Sequence, residues 1–96
     1  LETSNEMKSL NEVVKFCLEY QNNNPETLVI LTSDHECGGL AISDGENNET
    51  ICSFTTNYHT SSMVPIFATG PGAKYFNQFL DNTDIGKKLI EYVKKR

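Results

Sequence analysis

The chain places an aspartate directly before one of its only two histidines. Asp34 and His35 stand in the polar run Ser-Asp-His-Glu-Cys-Gly-Gly, and the second histidine, His59, follows much later. A carboxylate oxygen combined with imidazole nitrogens suits zinc, manganese or iron. Neighbouring residues of a regular strand point to opposite faces, so Asp34 and His35 can reach one ion only where the backbone is irregular. On spacing alone, metal binding competes with histidines that are simply exposed or hydrogen bonded.

The sequence lacks the usual motifs of other catalytic mechanisms. It has no Gly-x-Ser-x-Gly nucleophile motif and no Gly-x-x-x-x-Gly-Lys phosphate-binding loop. Its single arginine is Arg96, at the end of the chain, so bidentate binding of a phosphate by arginine is not expected. Its three cysteines, none in a Cys-x-x-Cys spacing, argue against a disulfide framework and a structural zinc ribbon.

Composition argues against several kinds of partner. The 96 residues carry a net charge of −5, which is unfavourable for nucleic acid or an anionic membrane as the main partner. No stretch approaches the roughly 18 to 20 apolar residues of a membrane span, so we expect no membrane contact from this segment. The cations gathered in residues 84–96 are explained as the C-terminal end of a helix, where the helix dipole favours them.

Helices and strands must position the histidines. Apolar residues at spacings of three and four in residues 5–20 predict an amphipathic helix with one face to bury. Residues 27–32 form an apolar, β-branched run typical of a parallel strand covered on both faces, and residues 63–69 predict a second buried strand. Asp34 and His35 follow the carboxyl end of the first strand, which is where α/β proteins bind ligands. We therefore expect an α/β fold.

The remaining segments predict smaller features. Two short extended stretches, residues 40–43 and 51–56, flank a polar segment and predict a hairpin or a surface excursion. Within that segment the tripeptide Asn-Glu-Thr makes Asn48 a candidate N-glycosylation site. Residues 81–83, Asp-Asn-Thr, supply candidates for the N-cap of a last helix. The predicted buried face of that helix comprises Ile85, Leu89, Tyr92 and Val93.

Four blocks of the chain resemble the carboxyl-terminal part of alkaline phosphatases. The run TLVILTSDHECGGL at residues 27–40 looks like that family's strand and metal-binding loop. His59, followed by VPIFATGPGA at residues 64–73, is similar to its late histidine, strand and glycine turn. DNTDIG at residues 81–86 resembles the opening of its last helix, and the helix at residues 10–20 is the fourth block.

The resemblance implies a fold and a function. The fold is a three-layer α/β/α arrangement with a mostly parallel central sheet, of which residues 1–96 are an incomplete, C-terminal part. The function is the zinc-dependent hydrolysis of phosphate monoesters. Asp34 and His35 resemble ligands of the zinc that activates the family's serine nucleophile, and His59 resembles a ligand of the second zinc. Two zinc ions suit this reaction because they can stabilise both the attacking and the leaving oxygen.

The family's other functional groups have no counterpart in the sequence. The resemblance places the serine nucleophile, the phosphate-binding arginine, the Mg²⁺ ligands and the remaining zinc ligands before Leu1. Two ligands for one zinc and one for the other do not complete either shell. We therefore expect this chain alone to be inactive. The family resemblance also implies a homodimeric parent protein in the periplasm or outside the cell.

Two alternatives remain open. A related metal-dependent phosphodiesterase, sulfatase or phosphomutase would share the Asp-His pair at the end of a strand but would use a different nucleophile. A stand-alone, non-enzymatic α/β unit with a structural or weak metal-binding role is the other alternative. The buried strand predicted at residues 27–32 speaks against it, because the few other predicted elements scarcely cover both of its faces.

Overall fold

Two α-helices and four short β-strands make up the computed structural model, which describes residues 2–95. In chain order they are α1 (Glu2–Asn23), β1 (Val29–Thr32), β2 (Ala41–Asp44), β3 (Thr50–Ser53), β4 (Ile66–Thr69) and α2 (Asn82–Lys94). Single 3₁₀ turns cover Glu46–Asn48 and Ala73–Tyr75. The described residues group into two units, residues 2–31 with 66–95 and residues 32–65.

The strands form two separate two-stranded sheets, in which β1 pairs with β4 and β2 pairs with β3. At the end of β1, the Thr32 hydroxyl donates a hydrogen bond of 3.0 Å to the carbonyl oxygen of Pro65, just before β4. Gly70, just after β4, lies against the carbonyl of Thr27, just before β1. The end of each strand therefore lies beside the start of its partner, so β1 and β4 run antiparallel.

The expected three-layer α/β/α fold with a mostly parallel central sheet is therefore wrong for residues 2–95. The strands in this range pair antiparallel, in sheets of only two strands. The expectation rested on the apolar run at residues 27–32, where β1 has three half-buried residues and an exposed one. An apolar run indicates that a strand is covered, but it does not encode the direction of a partner strand from a distant part of the chain.

β2 and β3 form the hairpin that the sequence predicts as one of two possibilities. The two strands are antiparallel, with Ala41 opposite Ser53 and Asp44 opposite Thr50. In the connecting turn, Asn48 has a φ of 63°, a left-handed conformation that asparagine tolerates better than most residues. Asn48 is exposed. Glycosylation at Asn48 stays a prediction.

Both predicted helices are present, but little of their apolar surface is covered. α1 has no buried residue, so the predicted burial of one of its faces is not found within residues 2–95. On the predicted buried face of α2, Ile85 and Tyr92 are half-buried, whereas Val93 is 70% exposed. Phe76, at 1% exposure, is the one buried apolar side chain in the described part of the chain. None of the described helices is long and apolar enough to cross a membrane.

A capping box begins α2, which confirms the predicted N-cap. The Asp81 carboxylate accepts a hydrogen bond of 3.3 Å from the backbone N–H of Thr83. In return, the Asp84 carboxylate accepts one of 3.4 Å from the backbone N–H of Asp81. Lys94 lies in the last turn, as predicted for the cationic end of the helix. Arg96, which the same prediction included, lies outside the described residues.

Candidate metal-binding site

The loop after β1 bends so that the side chains of Asp34 and His35 lie together. The Ser33 hydroxyl donates a hydrogen bond of 2.9 Å to the His35 carbonyl, and the His35 backbone N–H donates one of 3.0 Å to Asp34 Oδ1. The other carboxylate oxygen, Oδ2, is left facing the imidazole, 3.5 Å from His35 Nε2. The irregular backbone that lets these sequence neighbours approach each other is therefore present.

A second contact orients the His35 ring. Its Nδ1 lies 2.9 Å from the backbone carbonyl oxygen of Glu36. Because a carbonyl oxygen only accepts hydrogen bonds, this contact places the ring proton on Nδ1. Nε2, the nitrogen next to Asp34, then keeps its lone pair. This is the usual arrangement of a metal-binding histidine, whose other nitrogen donates to a carbonyl or carboxylate.

Two glycines allow the loop to close behind these residues. Gly38 and Gly39 have φ angles of 77° and 60°, in the left-handed region that favours glycine. A Cβ added at Gly38 would lie 2.7 Å from the Phe54 ring, and one added at Gly39 would collide with the Thr55 hydroxyl. The Gly38 carbonyl accepts a hydrogen bond of 2.8 Å from the backbone N–H of Thr55. The loop is therefore packed directly against the segment after β3.

His59 lies beside His35, although it comes from the segment that precedes β4. The centroids of the two imidazole rings are 4.2 Å apart, with an angle of 40° between the ring planes. The segment is held in place by a hydrogen bond of 2.8 Å from the backbone N–H of Gly38 to the carbonyl of Tyr58. The sequence left open whether the two loops converge, and the structure brings all three candidate residues together within the unit of residues 32–65.

Glu36 is a residue of this site that sequence reasoning missed. One oxygen of its carboxylate, Oε1, accepts hydrogen bonds from the backbone N–H of Gly39 at 2.7 Å and of Leu40 at 3.3 Å. The other oxygen, Oε2, accepts a hydrogen bond from the Thr60 hydroxyl. The sequence signal for this role of Glu36 is its position between the Asp-His pair and two glycines, where a carboxylate can accept hydrogen bonds from the N–H groups of a tight loop.

Both carboxylates near the histidines are held in the charged form. The positive charge that His35 carries when protonated, together with its backbone hydrogen bond, lowers the pKa of Asp34. The hydrogen bond from the Thr60 hydroxyl is the main cause that lowers the pKa of Glu36. The Asp34 side chain is 84% exposed, so solvent screens its interactions strongly.

These residues fit a metal ion in part. The Asp34 carboxylate and the Nε2 of His35 are donors that zinc accepts, and they face each other. Within residues 2–95, however, no three His, Cys, Asp or Glu side chains are arranged to hold one metal ion. The site as described therefore consists of a pair of donors with a second histidine beside it.

Comparison with known proteins adds no relative: no protein-family model, curated protein or solved structure matches the chain. Function is therefore inferred from the geometry of the site and from the sequence motifs.

Proposed function

We propose that this chain supplies zinc ligands to a phosphate monoester hydrolase of the alkaline phosphatase type. The observation that carries the proposal is the pairing of Asp34 Oδ2 with His35 Nε2 at 3.5 Å, next to the ring of His59. A carboxylate beside an imidazole nitrogen with a free lone pair is a donor pair that zinc prefers. The motif around this pair supports the family, because it resembles the metal-binding loop of alkaline phosphatases.

The proposal assigns separate tasks to the residues of the site. Asp34 and His35 would hold one zinc ion, and His59 would contribute to the second. When bound, zinc stabilises the negative charge that develops on the oxygens of a phosphate ester. The Glu36 carbonyl keeps the proton of His35 on Nδ1, and this leaves Nε2 available to the zinc ion. The nucleophile, the Mg²⁺ ligands and the missing zinc ligands would come from polypeptide beyond these 96 residues.

Metal binding is the direct test. The purified chain is titrated with zinc against a chromophoric chelator, and with Co²⁺, whose visible spectrum reports nitrogen and oxygen ligation. We expect weak zinc binding by the wild-type chain, because its donors do not complete a zinc shell, and a further loss of at least about tenfold in zinc affinity for Asp34→Asn, His35→Ala or His59→Ala. Asp44→Asn is the matched control, because Asp44 is an exposed carboxylate at the end of β2 in the same unit.

The zinc affinities of these variants are compared with that of the wild-type chain. Equal zinc affinity in the wild-type chain, the three site variants and the Asp44 control would overturn the metal assignment.

Hydrolysis tests the second half of the proposal. With zinc and Mg²⁺ present, the 96-residue chain should not release the phenol of an aryl phosphate above the rate of buffer. Turnover that disappears in the His35→Ala variant would contradict the assignment of the nucleophile to polypeptide outside this chain.

A further inference from the structure

Glu36 contacts both of the segments that carry the histidines. Its Oε1 accepts from the backbone of the loop that follows His35, through the N–H groups of Gly39 and Leu40. Its Oε2 accepts from the hydroxyl of Thr60, the residue directly after His59. One carboxylate therefore joins two parts of the chain that are distant in sequence.

The backbone of Glu36 acts on the first histidine as well. Its carbonyl oxygen, 2.9 Å from His35 Nδ1, fixes the direction of that ring. The same residue thus orients His35 through its main chain and holds the segment of His59 through its side chain. Thr60 is itself held in this geometry, because its Oγ1 accepts a hydrogen bond of 3.3 Å from the backbone N–H of Ser62.

From this geometry we infer that Glu36 is a positioning residue, which sets the distance between His35 and His59 through its hydrogen bond with Thr60. A charged acceptor makes a stronger hydrogen bond than a neutral one, so the carboxylate suits this task. The Glu36 carboxylate acts through the groups next to the ligands: it accepts hydrogen bonds from the backbone after His35 and from the hydroxyl after His59. The effect on zinc rests on the proposed function, whereas the effect on the two rings does not.

The two partners of the hydrogen bond between Glu36 and Thr60 can be removed separately. Glu36→Ala removes every contact of the carboxylate, and Thr60→Val removes only the bridging hydroxyl while it keeps the shape of the side chain. Both variants should weaken zinc binding by about 10- to 100-fold, the range typical of groups that support metal ligands. Thr60→Ser restores the hydroxyl and should bind zinc within about threefold of the wild-type chain.

A second readout does not require metal. In the metal-free wild-type chain, nuclear Overhauser effects are expected between the ring protons of His35 and His59, because the ring centroids are 4.2 Å apart. These signals should weaken in Thr60→Val, in which the hydrogen bond from Gly38 to the Tyr58 carbonyl still holds the segment, and should return to full strength in Thr60→Ser. The cross-strand signals between Ile42 and Cys52 of the β2 and β3 hairpin show whether each variant remains folded.

The outcomes separate the two proposals. If the wild-type chain binds no zinc but Thr60→Val weakens the contact between the rings, the proposed function fails and the positioning role stands. If Thr60→Val keeps both the ring contact and the zinc affinity, the positioning role is overturned. If Glu36→Ala loses zinc affinity and Thr60→Val does not, Glu36 acts by another route and the inference is also overturned. Glu49→Gln, at an exposed glutamate between β2 and β3, is the charge control.

Discussion

The Nε2 atom of His35 lies 3.5 Å from Oδ2 of Asp34, and the opposite nitrogen of the same ring lies 2.9 Å from the carbonyl oxygen of Glu36. The ring therefore lies between two oxygen atoms. The Glu36 carbonyl accepts a hydrogen bond from Nδ1–H, and the Asp34 carboxylate faces the lone pair of Nε2. Asp34 and His35 therefore place a nitrogen donor and an oxygen donor 3.5 Å apart. This relationship is local, because all three residues are consecutive, and it leads to a test of the proton's position.

The first prediction concerns the proton on the His35 ring. At neutral pH, in the absence of metal, the neutral ring should carry its proton on Nδ1, because this nitrogen faces a carbonyl oxygen. The ¹⁵N chemical shifts of the two ring nitrogens measure this directly. Cys37→Ser is the control, because Cys37 Sγ lies 3.6 Å from the same nitrogen. A ring protonated on Nε2 in both proteins would contradict the assigned role of the Glu36 carbonyl.

The second prediction concerns acid. The pKa of Glu36 is lower in the folded chain than that of an ordinary glutamate, mainly because of the Thr60 hydroxyl. A group of this kind contributes stability that is fully present above its unfolded pKa and is lost as the pH falls through its folded pKa. We therefore expect the contact between Glu36 and Thr60 to hold at neutral pH and to weaken below about pH 4.3.

Carboxyl ¹³C shifts measure this titration. The midpoint for Glu36 should be lower in the folded chain than in urea, and Thr60→Val should reduce the difference. A folded midpoint equal to the one in urea would show that the hydrogen bond does not hold the charged carboxylate.

The third prediction concerns the glycine turn. Gly39→Ala forces a side chain into the left-handed region and against the Thr55 hydroxyl, so it should lower the free energy of unfolding by about 1–3 kcal/mol. Gly86→Ala is the matched control, because Gly86 lies in α2 with no other group within 4 Å of an added Cβ. That control should raise the free energy of unfolding by about 0.5–1 kcal/mol.

Urea denaturation, followed by circular dichroism, measures both glycine variants. Destabilisation of equal size in the two variants would show that the conformation of Gly39 is not a special requirement of the loop.

The fourth prediction concerns the start of α2. Asp81→Ala removes the carboxylate that accepts from the backbone N–H of Thr83, and should cost about 1 kcal/mol of stability. Asp81→Asn keeps an acceptor oxygen and should retain most of that stability. Thermal unfolding of the three proteins gives the comparison. A loss in Asp81→Asn as large as in Asp81→Ala would mean that charge, and not the cap hydrogen bond, supports the helix start.

Features that depend on neighbouring residues were predictable from the sequence. Asp81 indicates the start of a helix because its side chain reaches only the next few backbone N–H groups. The structure shows Asp81 as the N-cap of α2. The adjacency of Asp34 and His35 likewise identified a candidate pair of donors. In each case the interacting atoms belong to residues a few positions apart, so the sequence contains the information directly.

Features that depend on distant residues were not predictable in this way. The antiparallel direction of β1 and β4 is decided by contacts such as Thr32 with Pro65, and the apolar run contains no sign of it. The link from Glu36 to Thr60 has the same origin, since neither residue type is unusual in a loop. The exposed face of α1 shows a further limit: its periodicity specifies a helix but not what covers it.

The hydrogen bond between Thr32 and Pro65 brings together the two ends of the segment that carries the candidate site. A segment whose ends already touch can change in length or sequence at little entropic cost to the strands that bracket it. Residues 33–64 therefore form an insertion between β1 and β4 that can be exchanged as a unit. Replacement of this insertion by a short turn is compatible with the pairing of β1 and β4. Transfer of the insertion into another antiparallel pair of strands would move Asp34, His35, Glu36, His59 and Thr60 together.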